Sequence, residues 1–561
     1  MHAASQTIIE TTSFPEPWDT PFDDGEPFMH DRMHMPFAIS PLTESLLTDV
    51  TGEGMVTAAA EARIPIAAYD TRERNYYHFT RIAPAIPASE EEAREVGAAA
   101  EESGKREVAR QLERWHGEHL PRLQELNARL AELPGADTSD SGILAALEEA
   151  RAIAAEAWVI HFRLAIPMLL SMQLFDEFYA DLFGGTDADG HALLVGGVSA
   201  SIKAGFGISD LANLAREQGL ESEILATPAD ALVLALEGTE PGRTFLLALR
   251  EFLAVYGLRQ DLFDLATPTW QEDPAFALAA VRAYLLSGRD ARAEHAVMAT
   301  SAETALGAAR EHLAVYPEAV RGQFEALLQF ARQGAFLQEE HNFYIDQRNT
   351  ALVRLVALRA GAAMVQRGWL AAPDDIFLLK LEELREILAG ASARSGADVQ
   401  ALVTRRRQEL AQAAEMTPPP FIGRPPAGPA AAATNPLERG MMRFFGGPPP
   451  VSDTPGQLKG TPGSRGTVTG LARVARTLDE ARLLEPGEVL VAITTMPPWT
   501  PLFGIASAVV TETGGPLSHC AIVAREYGIP AVVGAAGATH AIQTGQEITV
   551  DGSGGLVTYP V

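Results

Sequence analysis

The chain has 561 residues, 47% of them apolar, and a net charge of −29. It has material for several buried cores, and its acidity argues against nucleic acid or an anionic membrane as partner. A single cysteine, Cys520, excludes an intrachain disulfide and fits a reducing, cytoplasmic setting. The N-terminus lacks the basic and apolar segments of a signal peptide. No stretch of about 18 uninterrupted apolar residues suggests a membrane span. Lysine occurs only at Lys105, Lys203, Lys380 and Lys459, which leaves little scope for a catalytic lysine.

Residues 1–88 are rich in Pro, Asp and aromatics and read as an extended strap with a short helix at its end. His30, Asp31 and His34 are metal-ligand types. Loop histidines beside prolines are common, however, and no further ligand stands near them, so the metal content is left unknown. Residues 89–415 are rich in Ala, Leu, Glu and Arg, with apolar residues at three- and four-residue spacing, which predicts a helical domain. Residues 106–133 make one amphipathic helix. A second, from residue 351, ends at Gly368. Residues 416–454 are rich in Pro, Gly and Ala and read as a linker unable to form a core. Residues 455–561 alternate short apolar strands with Gly turns and a few helices, a compact mixed domain. The fold class is thus multidomain: a large, mostly α-helical domain followed by a C-terminal α/β domain.

The most informative run is residues 511–534, TETGGPLSHCAIVAREYGIPAVVG. A strand, Ala506 to Val510, enters a Gly-Gly turn, and a helix follows with His519 in its first turn. Ser518 is placed to cap that helix. The unpaired N–H groups and the dipole of a helix start favour an anion. They also disfavour imidazolium, so His519 stays neutral and nucleophilic and can carry a phosphoryl group. Thr513, Gly514, Gly515 and Ser518 are the expected phosphate contacts, with Arg525 two turns on as a pairing cation. A capped surface helix with an incidental histidine is the plain alternative for a bare GGxxSH. Cys520 beside it is expected only to pack.

The whole run resembles the phosphohistidine swivelling domain of phosphoenolpyruvate-utilising enzymes. The matching residues are Thr511, Gly514, Gly515, Ser518, His519, Ala521, Ile522, Ala524, Arg525, Ile529, Pro530 and Gly534. The resemblance implies that His519 is phosphorylated, making phosphohistidine the covalent intermediate. Trp18, Asp19, His34, Pro36, Ser40, Pro41 and Leu42 resemble the family's strap, with altered spacing between Asp19 and His34. Residues 256–274 and 336–388 resemble the helical substrate domain of rifampin phosphotransferase and its relatives. There Arg259 is a phosphate or substrate clamp, or a structural partner of Asp261, Asp264 or Glu272. Asp374, Asp375, Ile376, Glu382, Glu383 and Leu384 fit a further signature, while Trp270 and Pro268 are expected in the core.

One departure matters. Where the phosphotransferases carry an Arg and a Lys, this chain has Gln338, Glu339, Glu340, His341 and Asn342. Carboxylates repel a metaphosphate-like transition state unless a metal lies between, but they suit deprotonation of an acceptor hydroxyl. Glu339 or Glu340 with His341 therefore reads as a general base with its orienting partner, as ligands for one divalent ion, or as a solvated helix face. Successive helical residues point about 100° apart, so Glu339 and Glu340 cannot both face one site.

No P-loop or other glycine-rich nucleotide loop is evident, and no phosphoenolpyruvate barrel follows the last domain. The expectation is a subunit like that of phenylphosphate synthase, charged by a separate ATP-grasp subunit whose ATP brings Mg²⁺. It would pass the phosphoryl group to a small aromatic or alicyclic hydroxyl. The alternatives are a dehydratase or lyase acting through a phosphorylated intermediate, and a non-catalytic phosphocarrier or regulatory module.

Overall fold

The longest element is the helix Asp140–Phe183, which begins at Ser139, whose hydroxyl accepts from Gly142 N, and ends at Gly184 in the left-handed region. The structure, a computed structural model, describes the chain except residues 1–13, 21–26, 135–138, 185–189, 391–393, 424–435, 448–449, 451 and 561. Among the described helices this one alone is long and apolar enough to cross a membrane, yet 56% of its most apolar window is buried within the protein. The helices Asp49–Glu61, Glu318–Asn342 and Thr350–Gln366 pack against it. Trp115, Phe175, Phe324 and Phe377 fill the space between these helices and their neighbours.

The amphipathic run at 106–133 is helical throughout, but its winding changes: a π-helical turn, Trp115–His119, joins Glu90–Arg114 to Leu120–Glu132. A second π turn, Phe343–Asn349, continues Glu318–Asn342 into Thr350–Gln366. Such turns widen a helix locally and occur often at functional sites.

The N-terminal region is more ordered than an extended strap. The strands Ile66–Arg74 and Tyr77–Pro84 form a hairpin whose two turn residues, Asn75 and Tyr76, both have positive φ. The strand Phe28–His30 joins that hairpin, and Phe421–Ile422 joins on its far side, giving a four-stranded antiparallel sheet. The linker thus contributes a strand. It also contributes a helix, Pro436–Phe445, packed on Asp140–Phe183. The Pro/Ala-rich part between them lies outside the described residues.

The C-terminal domain is built on one eight-stranded sheet. In spatial order its strands are Gln457–Lys459, Leu556–Thr558, Glu547–Asp551, Thr467–Ala475, Val489–Ala492, Ala508–Thr511, Ala531–Val533 and Thr461–Ser464. The four from Thr467–Ala475 to Ala531–Val533 are parallel, and the outer pairings are antiparallel. Val489–Ala492, Ala508–Thr511 and Ala531–Val533 are wholly buried, so they read as continuous apolar runs rather than alternating ones. The helix His519–Glu526 is the crossover between two parallel strands, Ala508–Thr511 and Ala531–Val533. His519 therefore sits where a strand's carboxyl end meets a helix start.

The two domains share one hydrophobic cluster. Phe245, Trp270 and Tyr284 of the helical domain meet Trp499, Phe503 and Tyr527 of the C-terminal domain. This apolar seam presses the crossover helix against the helical domain.

Candidate active site

His519 is buried between the domains, and its Nδ1 lies 2.9 Å from Glu339 Oε1. Burial pushes the Glu339 carboxyl up, but the adjacent imidazole and hydrogen bonding more than offset this and hold it below its ordinary range. An ionised carboxylate only accepts hydrogen bonds, so the proton sits on Nδ1. In the neutral ring the lone pair is then on Nε2. It is buried and has no hydrogen-bond partner among the described residues. This is the tautomer a nitrogen nucleophile needs, fixed by the helical domain.

Ser518 occupies the N-cap position with extended backbone angles, φ −70° and ψ 160°. Its hydroxyl does not cap the helix, contrary to the sequence expectation, and Oγ is a buried atom with no partner among the described residues. Gly514 has φ +89°, and a Cβ there would meet Ser518 Cβ and Oγ at 2.9 Å. At Gly515 a Cβ would meet the carbonyl oxygen of Arg443 at 1.9 Å. The close approach at Gly515 is thus made by the linker helix: Gly515 N donates to Phe444 O at 3.0 Å and Leu517 N to Arg443 O at 3.3 Å. Thr513 is tied to the neighbouring strand end, with N and Oγ1 both donating to Ile493 O.

Arg525 does not face the imidazole as a free cation. Nε donates to Ala521 O, Nη2 to Pro516 O at 2.6 Å, and Nη1 to His191 Nδ1 of the helical domain. His191 Nε2 donates to Asp176 Oδ2 at 2.7 Å, and Arg443 of the linker helix pairs with the same carboxylate at 2.8 Å. Arg525 thereby joins crossover helix, helical domain and linker.

Arg259 is completely buried, and Nε, Nη1 and Nη2 all lack a hydrogen-bond partner among the described residues. The three carboxylates that could have held it are engaged elsewhere. Asp261 accepts from Trp499 Nε1 and Leu478 N, both at 2.5 Å. Asp264 accepts from the hydroxyls of Ser40 and Thr43. Glu272 pairs with Arg354 at 3.0 Å. The guanidinium instead lies over the rings of Trp270 and Phe343, at 5.1 and 5.5 Å. Burial lowers its pKa to about 10, with nearby Tyr256 and Glu339 opposing the fall, so it remains charged at neutral pH. A buried cation with five unspent donors is costly unless an anion visits it.

The rest of the 338–342 stretch divides as the 100° rule requires. Glu339 reaches His519, while Glu340 accepts from Ala200 N at 2.6 Å, at the start of the helix Ala200–Glu217. His341 Nδ1 donates to Leu337 O at 2.7 Å. Burial, then the neighbouring His161, takes its pKa down to about 4, so it is neutral with Nε2 available. Cys520 only packs: it is buried, and burial raises its thiol to about 12. His34 pairs with Asp31 at 3.0 Å, and Arg32 with Glu512 at 2.5 Å, which lays this turn of the N-terminal region against the glycine loop. Sequence reasoning named Asp261 only as a partner of Arg259, and it missed His191, Asp176, His161 and Asp346, none of which stands in a pattern legible without the fold.

Comparison with known proteins agrees with this division. A family model described as PEP-utilising enzyme, mobile domain, matches residues 484–555, and one described as rifampicin phosphotransferase fourth domain matches residues 161–339. Chondramide synthase cmdD of Chondromyces crocatus is 34% identical over 97% of this chain and 14% of its own length. The uncharacterized phosphotransferase YvkC of Bacillus subtilis is 30% identical over 76% of the chain and 50% of its own length. Rifampicin phosphotransferase of Streptomyces sviceus is 31% identical over 63% of the chain and 39% of its own length. The chain spans half or less of each of these relatives. The matches support a phosphoenolpyruvate-utilising enzyme family: a PEP-utilising mobile domain covers His519, and a rifampicin phosphotransferase fourth domain ends at Glu339.

Proposed function

We propose that the protein is a phosphotransferase in which His519 Nε2 carries a phosphoryl group to the hydroxyl of a small organic acceptor bound by the helical domain. The observation that carries this reading is the buried His519–Glu339 pair, with Nε2 unpartnered, in a site whose one fully buried arginine, Arg259, has every donor unspent. The arrangement is the acceptor-side position of the mobile domain. Glu339 holds the Nδ1 proton and so directs the lone pair of Nε2. Arg259 and the Ser518 hydroxyl offer donors to the phosphoryl oxygens. His341, neutral and bonded through Nδ1 to Leu337 O, keeps Nε2 for the acceptor's proton. The acceptor in this reading is an aromatic or alicyclic alcohol. An ATP-grasp subunit supplies the phosphoryl group, with Mg²⁺ on its nucleotide.

Incubation with β- or γ-labelled ATP and Mg²⁺, with and without an ATP-grasp protein, tests the proposal. Acid-labile label that is lost in His519→Ala supports it, and the labelled position distinguishes β from γ transfer. Absence of label under every condition would sink it. A second reading is favoured by the pairing of Glu339 with a neutral base two residues on. In that reading the phosphorylated acceptor is an intermediate, and loss of phosphate with a proton gives an unsaturated product. Inorganic phosphate released in step with that product would select it. A carrier without acceptor chemistry would instead show a His519→Ala defect and none in Arg259→Leu or His341→Ala.

A further inference from the structure

Two imidazoles and a carboxylate outside the His519–Glu339 pair converge beside it. His161 comes from the long helix Asp140–Phe183, His341 from the end of Glu318–Asn342, and Asp346 from the π turn Phe343–Asn349. One ligand atom from each lies within 4.8 Å of the others. We propose that His161, His341 and Asp346 form a divalent transition-metal site in the helical domain.

Helix geometry supports it first. At about 100° per residue, positions 341 and 346 of an α-helix would point some 140° apart. The wider π turn between them brings the side chains onto one side, toward His161. The π turn therefore creates the juxtaposition, and the rings of His161 and His341 lie 4.6 Å apart, edge to face.

Hydrogen bonding supports it independently. His341 Nδ1 donates to Leu337 O, which fixes the ring and leaves Nε2 as a lone pair, the arrangement typical of a metal-binding histidine. Asp346 is nine-tenths buried, and its Oδ2 has no hydrogen-bond partner among the described residues. His161 Nδ1 is a buried atom in ion-pair contact with Asp346 Oδ1 at 3.3 Å, without the geometry of a good hydrogen bond. A buried carboxylate that meets its imidazole on one oxygen only and leaves the other without a partner is costly. An ion at about 2.1 Å from each ligand would satisfy all three, drawing them together by small side-chain rotations.

The donor set selects the ion. Two imidazoles with one carboxylate and open positions suit Zn²⁺, Mn²⁺ or Fe²⁺ better than Ca²⁺ or Mg²⁺, which prefer oxygen ligands. Binding itself is independent of the phosphotransfer reading. The role we assign it rests on that reading but replaces His341 as the base: with Nε2 of His341 bound as a ligand, the ion binds the acceptor oxygen and lowers the pKa of its hydroxyl, whose proton leaves to solvent, and it screens Glu339 from the phosphoryl group. Positive charge would return in this way to the stretch where carboxylates stand.

The test is metal uptake by the purified 561-residue chain. After chelation and dialysis, Zn²⁺, Mn²⁺ and Co²⁺ are titrated in by calorimetry, and Co²⁺ is followed by its visible absorption. One ion per chain is expected. His161→Ala and Asp346→Asn should each weaken binding about 10- to 100-fold or more, and Glu339→Gln and His519→Ala should leave it unchanged. Circular dichroism confirms that each variant is folded, and the wild-type Co²⁺ spectrum reads nitrogen and oxygen ligation without any variant. No uptake by the wild-type chain overturns the site and leaves an acid–base dyad. Uptake that survives His161→Ala and Asp346→Asn, or that is lost in His519→Ala, overturns the ligand assignment. If label forms on His519 but no metal binds, the phosphotransfer reading survives and this one fails. The converse outcome separates them the other way.

Discussion

The seam that holds the mobile domain and the site that it delivers are built on opposite principles. At the seam, the charged groups that cross the boundary meet partners. Asp261 takes two N–H donors from the C-terminal domain, and the chain from Arg525 through His191 and Asp176 to Arg443 is paired at each step. A few residues away, His519 Nε2, Ser518 Oγ and the whole Arg259 guanidinium are buried and unpartnered among the described residues. Satisfied groups hold a position, and buried unsatisfied ones store a demand that a ligand can meet. The comparison predicts that substitutions at the site change chemistry without loosening the domains, and that substitutions at the seam do the reverse.

The largest expected effect is at the pair itself. His519→Ala should abolish acid-labile labelling. Glu339→Gln keeps an acceptor for Nδ1–H but loses the charge that fixes the tautomer, and should slow transfer by about 10²–10³-fold with little change in domain contact. Equal losses of transfer and of docking, measured by energy transfer between dyes on the two domains, would break the comparison.

Arg259→Leu is the sharper test, because its two effects have opposite signs. If the arginine awaits an anion, its removal should cut phosphoryl transfer by about 10²–10³-fold. It should also raise thermal stability, by roughly 1–3 kcal/mol, since a buried and unpaired cation is exchanged for apolar packing. A structural arginine would give the reverse: lower melting temperature and intact chemistry. Arg259→Lys keeps charge but not the fork, and should rescue little.

What the sequence disclosed follows from how locally each feature is specified. The strand–glycine–histidine–helix run is one contiguous stretch, and the buried parallel strands are unbroken apolar runs, so both were legible. The division of Glu339 from Glu340 follows from helical geometry alone. The partner of Glu339 does not, because it lies 180 positions away in sequence. Asp261 stands beside Arg259 in a polar run and reads as its natural counter-ion. Only the fold shows it turned to Trp499 and Leu478. The strap at 1–88 was underread because a hairpin turn at Asn75-Tyr76 carries no glycine, and the linker because ten helical residues hide between proline-rich flanks.

A smaller effect is expected from pH at the seam. Burial raises Asp261 to about 7, against the opposing pull of its two N–H donors. Once the domains part and the carboxyl is hydrated, its pKa returns toward the ordinary value of 3.8. The docked form thus binds the proton more tightly. Docking is strongest at low pH, weakens as pH rises from about 4 to about 7, and is level above that. The rise corresponds to an upper bound of about 4 kcal/mol. Asp261→Asn should remove the slope, and since its amide turns a donor toward one of the two N–H groups, should also cost about 1 kcal/mol of docking at acid pH. A slope unchanged in Asp261→Asn would place the pH dependence elsewhere.

The smallest expected effect comes from packing at the seam, where the polar groups are left alone. Gly504 lies so close to Tyr284 of the helical domain that a Cβ would stand 1.9 Å from Oη and 2.7 Å from Cζ. Tyr284 is completely buried and cannot step aside without moving its neighbours. Gly504→Ala is therefore a wedge one methyl group deep. Overpacking of this kind costs about 1–3 kcal/mol, which raises the open population roughly 5- to 150-fold. His519 should then react faster with an imidazole-directed reagent, while its Nε2 keeps its character whenever the domains close. Gly97→Ala, in an exposed helix with nothing within 4 Å of the added carbon, is the matched control and should leave the labelling rate unchanged. If Gly504→Ala exposes His519 no faster than the control, the apolar seam is not what holds the mobile domain, and the Asp261 and Arg525 contacts must carry that role alone.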